Sequence, residues 1–184
     1  MSRLVDGILV VAAAGSVLLS GASFLRGRAA PPSSTGGSVE ELERGLRGRT
    51  LGPTPVVSAV NGIDRTYDPA TGGPALLLFF RSTCPACERN APQWQALTRS
   101  VPSGVRTVGF AAEEAGSALD WARLHRLPLD DILILRRPED WAIPAVPATL
   151  LVDAAGKVQM VKIGVLDSSA SGMFSKRVQR WAQP

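Results

Sequence analysis

Two closely spaced cysteines are the residues of this chain best suited to chemistry. Cys84 and Cys87 are the only cysteines in the 184-residue sequence, and they lie in the stretch "RSTCPACERN". A structural zinc site would need four ligands, and the single histidine, His125, lies far along the chain. A structural disulfide closing so short a loop would remove little chain entropy. The spacing therefore favours redox or thiol chemistry.

The position of the pair after an apolar run suggests different roles for the two thiols. The run "ALLLFF" at Ala75–Phe80 predicts a strand buried on both faces, and a helix is predicted from the cysteines to about Ser100. The positive end of that helix would stabilise a thiolate on Cys84, and Pro85 suits the first helical turn. We therefore predict that Cys84 is exposed and attacks a substrate disulfide. Cys87 would be shielded and would resolve the mixed disulfide.

Strands and helices alternate through the rest of the folded sequence. Gly156 in the stretch "DAAGK" suits a hairpin turn between the last two strands. This order predicts an α/β sandwich whose final hairpin makes the sheet mixed. Besides the central strand and the cysteine helix, the predicted elements are a short helix within 39–49, strands at 56–60, 105–110, 132–135, 148–152 and 158–163, and helices at 117–126 and 168–181.

The N-terminal region predicts a membrane segment and a tether. Residues 7–25 carry no charge, and as a helix they would span about 28 Å, close to the ~30 Å hydrocarbon thickness of a bilayer. A cleaved signal peptide ending in the small residues Ser20-Gly21-Ala22 is the alternative, but the length of the apolar run favours an uncleaved anchor. The predicted division is an anchor or signal peptide at 1–28, a flexible linker at 29–50 and a folded domain at 51–184.

The positive charge of the chain does not indicate a nucleic-acid partner. The net charge is +4 and the sequence pI is about 9.7. The lysines and arginines are scattered and form no basic run, which is typical of ordinary surface charge.

With these features the sequence resembles the thioredoxin superfamily, and more closely the membrane-anchored, extracytoplasmic thiol–disulfide oxidoreductases of the TlpA/ResA group. The resemblance spans about residues 51–181. It rests on the strand–CxxC–helix order, on Pro92 five residues after Cys87, and on "VPATLLVDAAGKV", which is similar to the family's cis-proline loop, strand and hairpin. It implies a thioredoxin-like fold, with a mixed central β-sheet flanked by helices. It also implies an extra helix–strand insertion between Ser117 and Leu135 and an N-terminal transmembrane helix.

The resemblance also implies which residues form the active site. Pro147 would be the cis-proline, with Pro144 as the less suitable alternative, and the backbone of Val146 would pair with an extended substrate. No metal or separate cofactor is implied, because the Cys84–Cys87 disulfide is itself the redox group. The active-site loop and substrate groove would then comprise Thr83, Pro85, Ala86, Val146 and Pro147, beside the catalytic Cys84 and Cys87.

Among the positions that depart from the family pattern, two would carry a carboxylate in the family. Leu78 stands where thioredoxins carry a buried aspartate, and Asn90 stands where the extracytoplasmic group often has a glutamate. Either carboxylate would accept a proton from the resolving thiol, so the family pattern leaves the proton acceptor for Cys87 unassigned. Glu88 is adjacent in sequence, but we expect its side chain to point to solvent.

The resemblance predicts a thiol–disulfide oxidoreductase that reduces protein disulfides on the periplasmic side of a bacterial inner membrane. Its partners would be protein disulfide or dithiol substrates, with cytochrome c maturation as one setting, and an unidentified thiol protein as electron donor. One alternative is a peroxiredoxin-like antioxidant enzyme, although Leu77 and Arg81 replace the Pro and Thr/Ser that this family places before its reactive cysteine. Another is an accessory protein with a thioredoxin-like fold and no turnover.

Overall fold

A computed structural model describes residues 38–182 of the chain. Seven strands and four α-helices alternate along it, with two short 3-10 helices at Pro138–Trp141 and Arg180–Ala182. The strands are β1 Thr54–Ser58, β2 Asp64–Tyr67, β3 Ala75–Phe80, β4 Arg106–Ala111, β5 Asp131–Leu135, β6 Ala148–Val152 and β7 Val158–Ile163, and the helices are α1 Val39–Leu46, α2 Pro85–Arg99, α3 Ala115–Leu124 and α4 Ser168–Gln179.

All seven strands belong to one mixed sheet with the order β2-β1-β5-β4-β3-β6-β7. Strands β3, β4 and β5 are parallel, whereas β1, β2, β6 and β7 pair with their neighbours in the antiparallel sense. Every residue of β3 is buried, as its uninterrupted apolar sequence predicts for a central strand. The α/β class and the mixed sheet predicted from the sequence are confirmed.

The two faces of the sheet carry two hydrophobic cores, because successive side chains of a strand point to opposite sides. Leu76, Leu78 and Phe80 face α2, α3 and α4, in a core that includes Cys87 and Trp94. The alternate residues of β3 face α1 and the 3-10 helix at Pro138–Trp141, in a core that includes Leu46, Phe110 and Trp141.

The folded contacts begin N-terminal to Leu51, the residue at which the sequence analysis starts the domain. Helix α1 opens with a capping box at Ser38, and its Leu46 is only 4% exposed. Glu43 accepts a hydrogen bond from the backbone N–H of Ile163 (2.9 Å) and forms an ion pair with Lys162. Residues 38–50 therefore include a helix packed on β7, in a region that the sequence analysis assigns to the linker.

The predicted elements are present, and one strand was not predicted. The predictions for β3, β6 and β7 match the observed bounds, and a helix and a strand, α3 and β5, occupy the region between Ser117 and Leu135. Gly156 has φ +72° in the turn between β6 and β7, where an added Cβ would lie 3.2 Å from the backbone of Ala70. Strand β2 was missed because three of its four residues are exposed and polar.

Within residues 38–182, no helix combines the length and apolar character needed to cross a bilayer. The predicted membrane anchor, residues 7–25, lies outside the described residues.

Candidate active site

Cys84 occupies the N-cap of α2, at the carboxyl end of β3. Its backbone is extended (φ −93°, ψ 111°), Pro85 is the first helical residue, and the Cys87 backbone N–H donates to Cys84 Sγ at 3.3 Å. The sulfur therefore lies where unpaired helical N–H groups and the helix dipole favour negative charge. Cys84 is partly exposed, as the sequence predicted for the attacking thiol.

Cys87 lies one turn into α2 and is fully buried. Burial, followed by the contact with Cys84, raises the pKa of its thiol to about 12. A group with this pKa remains a thiol near neutral pH. The shielded position predicted for Cys87 is observed, and attack by this thiol would require that a proton be removed.

The loop before β6 lies directly against Cys84. The Val146–Pro147 peptide bond is cis, as predicted, and the Cys84 thiol faces the carbonyl oxygen of Val146 at 3.7 Å. Pro147 is buried and Val146 is partly buried. Pro144, the alternative, is exposed and its preceding bond is trans. The structure thus brings together the two segments that the resemblance assigned to the site.

The other residues predicted for the active-site loop flank Cys84 in the sequence. Thr83 and Pro85 are exposed, and Ala86 is partly exposed, so this side of the cysteine pair is open to a partner molecule. A small apolar hollow adjoins Val146 at the carboxyl ends of β3, β4 and β5. Its lining includes Phe80, Phe110, Leu135, Ile143 and Val146.

The two positions that would carry a carboxylate in the family are buried and carry no charge. Leu78 is 0% exposed and lies opposite Thr149 of β6. Asn90 is also 0% exposed, and its Oδ1 accepts the backbone N–H of Leu166 at 2.8 Å. Asn90 therefore ties α2 to the segment before α4 and supplies no proton acceptor.

A carboxylate from a different element does reach the site. Glu113 follows β4, and its two carboxylate oxygens accept the Ser82 backbone N–H (2.8 Å) and the Ser82 hydroxyl (2.6 Å). Its negative charge is among the causes that raise the pKa of Cys87, behind burial and Cys84. The sequence analysis missed both residues. The available signal was that parallel strands end at the same edge of a sheet, which places the residues after β3 and β4 together.

Glu88 is exposed, as expected, with 46% of its side chain open to solvent, but its carboxylate also makes contacts within the protein. Its carboxylate accepts the indole N–H of Trp121 at 2.5 Å and lies 3.0 Å from Nε2 of His125. The Trp121 contact, followed by that of His125, holds the pKa of Glu88 below its ordinary value. Trp121 stacks on Phe80 with ring centroids 4.8 Å apart, so Glu88 links α2 to α3 rather than serving the thiols.

Among the described residues, no cluster of three or more His, Cys, Asp or Glu side chains could hold a metal ion. The arrangement of the cysteines can perform the chemistry of two thiols. A partly exposed sulfur lies at a helix N-terminus, a buried second thiol lies within one turn of it, and a backbone carbonyl of a second loop faces the first.

Comparison with known proteins relates the fold to thiol–disulfide oxidoreductases. No protein-family model matches the sequence, and neither does any curated protein. Solved structures do match. One is the thioredoxin domain of a thiol–disulfide oxidoreductase from Bacteroides vulgatus, with a TM-score of 0.59 and 15% identity over 72% of this chain and 97% of that one.

Two mycobacterial structures are also similar. A secreted disulfide oxidoreductase from Mycobacterium tuberculosis has a TM-score of 0.54 and 20% identity, over 68% of this chain and 94% of its own. The peroxidoxin BcpB from the same organism has a TM-score of 0.58 and 16% identity, over 76% and 99% of the two chains. At these identities the likeness establishes a thioredoxin-like fold.

Proposed function

We propose that this thioredoxin-fold chain is a thiol–disulfide oxidoreductase that reduces disulfides of protein substrates through Cys84 and Cys87. The observation that carries the proposal is the asymmetry of the pair. Cys84 is partly exposed at a helix N-cap and faces the Val146 carbonyl, whereas Cys87 is buried behind it. Such asymmetry suits one attacking and one resolving thiol.

The reaction follows from these positions. The Cys84 thiolate attacks one sulfur of a substrate disulfide, the substrate S–S bond breaks, and one substrate thiolate leaves and takes up a proton. Cys87 then loses its proton and attacks Cys84 Sγ, which forms the Cys84–Cys87 disulfide and releases the second substrate thiol. The chain is oxidised by two electrons, and the substrate disulfide is reduced to two thiols.

The surroundings of Cys84 favour an extended polypeptide as substrate. Val146 belongs to a loop that presents backbone beside the attacking sulfur, and backbone hydrogen bonds of this kind accept many sequences. The apolar hollow at Phe110, Ile143 and Val146 would accept an apolar side chain next to the attacked cysteine.

We place the chain at a bacterial inner membrane with its redox domain in the periplasm, anchored by residues 7–25. The uncharged length of that segment supports the anchor, and the resemblance to the TlpA/ResA group supports the compartment. Its clients would be envelope proteins, including those of cytochrome c maturation, and an electron-donor thiol protein would regenerate the dithiol.

The activity can be tested with the purified full-length chain and a protein disulfide such as insulin. Cys84→Ser should abolish reduction, and Cys87→Ser should accumulate mixed disulfides visible on non-reducing gels. The variant lacking both cysteines is the blank, since the chain has no other thiol. Unchanged reduction by Cys84→Ser would refute the assignment, and mixed disulfides trapped on Cys87 instead would reverse the two roles.

A peroxidase is the second candidate, because a peroxidoxin is among the structural neighbours. Against it, Leu77 and Arg81 occupy the positions that peroxiredoxins give to Pro and Thr/Ser, and Leu77 is a fully buried strand residue. Consumption of hydrogen peroxide faster than reduction of insulin, with loss of both in Cys84→Ser, would favour the peroxidase. An accessory protein without turnover would show neither activity.

Fractionation of cells and N-terminal sequencing test the location. Retention of the N-terminus in the membrane fraction supports the anchor, whereas a mature chain that begins at Ser23 would identify a cleaved signal peptide. Accessibility of Cys84 to a membrane-impermeant maleimide in intact spheroplasts supports a periplasmic domain, and complete protection would contradict it.

A further inference from the structure

The pairing of β3 with β4 brings Glu113 to the cysteine loop. The last register pair of these parallel strands is Phe80 with Ala111, and Ser82 and Glu113 each stand two residues beyond it. Both carboxylate oxygens are hydrogen-bonded by Ser82, at 2.8 Å from its backbone N–H and 2.6 Å from its hydroxyl. We propose that Glu113, acting from the end of β4, sets the redox poise of the Cys84–Cys87 pair and biases it toward reductase work.

The fixed position of the carboxylate is the first step. A carboxylate that receives two hydrogen bonds from one residue is held in place, and the residue that holds it lies two positions before Cys84. Cys87 adjoins the same segment, because its backbone N–H donates to Cys84 Sγ at 3.3 Å. Ser82 therefore holds the carboxylate in the segment that leads directly into the cysteine pair.

The positions on β3 and α2 do not duplicate this charge, and the cations nearby in the chain, Arg81 and Arg89, are exposed. Leu78 and Asn90, on β3 and α2, are uncharged, and Glu88 directs its carboxylate to Trp121. Burial, then Cys84, then Glu113 raise the pKa of Cys87.

The consequence for the reaction follows from electrostatics and rests on the function proposed above. In the proposed reaction the reduced pair attacks through the Cys84 thiolate, whereas the disulfide is neutral. A nearby negative charge therefore destabilises the reduced form relative to the oxidised form and makes the dithiol a stronger reductant. Electrons leave the pair for the substrate disulfide, the Cys84–Cys87 bond forms, and the protons go to the two substrate thiols.

The test is the equilibrium of the full-length chain with dithiothreitol or glutathione buffers, together with thiolate absorbance against pH. Glu113→Gln removes the charge but keeps both contacts, since the amide oxygen can accept the Ser82 N–H and the amide nitrogen can donate to the hydroxyl. We expect this variant to favour the dithiol by up to about tenfold, or about 30 mV, with Cys87 titrating at lower pH. Glu113→Asp, which keeps the charge, should stay near the wild type.

Two further variants separate charge from positioning. Glu114→Gln makes the same charge change at the exposed neighbouring residue, which makes no side-chain capping bond, and should leave the equilibrium unchanged. Ser82→Ala keeps the charge and loses one hydrogen bond. If it shifts the equilibrium as far as Glu113→Gln does, the contact rather than the charge is responsible and the proposal is overturned.

The proposal and the underlying function fail in different ways. If the wild-type chain equilibrates with dithiothreitol but does not reduce insulin, the proposed function is contradicted. The dithiol–disulfide equilibrium of the Cys84–Cys87 pair, and the effect of Glu113 on it, can still be measured in that case. Wild-type chain that reduces insulin, with Glu113→Gln unchanged in both equilibrium and Cys87 titration, would refute the role of Glu113 alone.

Discussion

The buried thiol of Cys87 should make the reduced chain less stable in alkali. Burial, and then the contact with Cys84, raises its pKa from an ordinary value of 9.0 to about 12. Between these two values the folded chain keeps a proton that the unfolded chain has lost. The unfolded state then binds fewer protons than the native state, so the free energy of unfolding falls as the pH rises.

The size of the effect follows from the two pKa values. The contribution is fully present below about pH 9, and it falls by about 1.4 kcal/mol per pH unit until the pH approaches about 12. Relative to pH 7, the loss at about pH 10 amounts to about 1.4 kcal/mol. This is a substantial part of the roughly 5–15 kcal/mol by which domains are stable.

Urea unfolding of the reduced chain, with excess dithiothreitol, measures this loss at about pH 7 and about pH 10. Cys87→Ala is the reference, because it retains every other alkaline group, including Tyr67, whose pKa is also raised by burial. We expect the wild type to lose about 1.4 kcal/mol more than the reference over this interval. Parallel profiles for the two proteins would refute the idea that folding keeps Cys87 protonated.

Three other changes test the packing around the site. Thr149→Val should cost about 1–3 kcal/mol in urea unfolding, because it leaves the buried indole N–H of Trp94 without its acceptor at 2.8 Å; Thr66→Val, on the exposed face of β2, should stay within about 0.5 kcal/mol. Leu46→Ala should lower stability by about 2–5 kcal/mol and speed amide exchange in α1, and no change would mean that α1 is only loosely docked. Asn90→Asp should raise the pKa of the resolving thiol further, and an unchanged titration would show that the two side chains do not interact.

Most strands of the sheet could be predicted because their buried positions are recognisable in the local sequence as apolar residues. The runs at Ala75–Phe80 and Ala148–Val152 are continuously apolar, which is typical of strands covered on both sides. The last hairpin was marked by Gly156, whose positive φ the turn requires. Strand β2 shows the limit of this method. Only Tyr67 of its "DRTY" sequence is buried, which is too little to form an alternating pattern, and its extended form accompanies pairing with β1.

The N-terminal helix illustrates a different limit. Its charged sequence is compatible with a short helix, but nothing local indicates that it packs on the domain. The contacts that hold it join residues far apart in the chain, such as Glu43 to Ile163 and Lys162, and the burial of Leu46 against the second core. The linker predicted from composition therefore includes a segment that forms a helix and packs on the domain through tertiary contacts.

The part of the candidate site that lies within one sequence motif, the CxxC pair, could be predicted. The part that depends on contacts between two separate elements could not. The roles predicted for Cys84 and Cys87 come from a CxxC pair at a strand–helix junction, and the structure places Cys84 partly exposed at the helix N-cap and Cys87 buried. The family pattern directs attention to positions 78 and 90, on the strand before the cysteines and on the helix after Cys84. The charge instead comes from Glu113, which the register of β3 and β4 places beside Ser82.

The electrostatic potential at such a site depends on all the charged residues at this edge of the sheet, and not on one position near the CxxC motif. Any strand that ends at that edge can supply the charge, since parallel pairing brings the following residues together. The absence of carboxylates at Leu78 and Asn90 therefore does not leave the cysteine loop without a negative charge. The opposing charge of Glu113, fixed by Ser82, is the reason to expect that the pair remains a reductant.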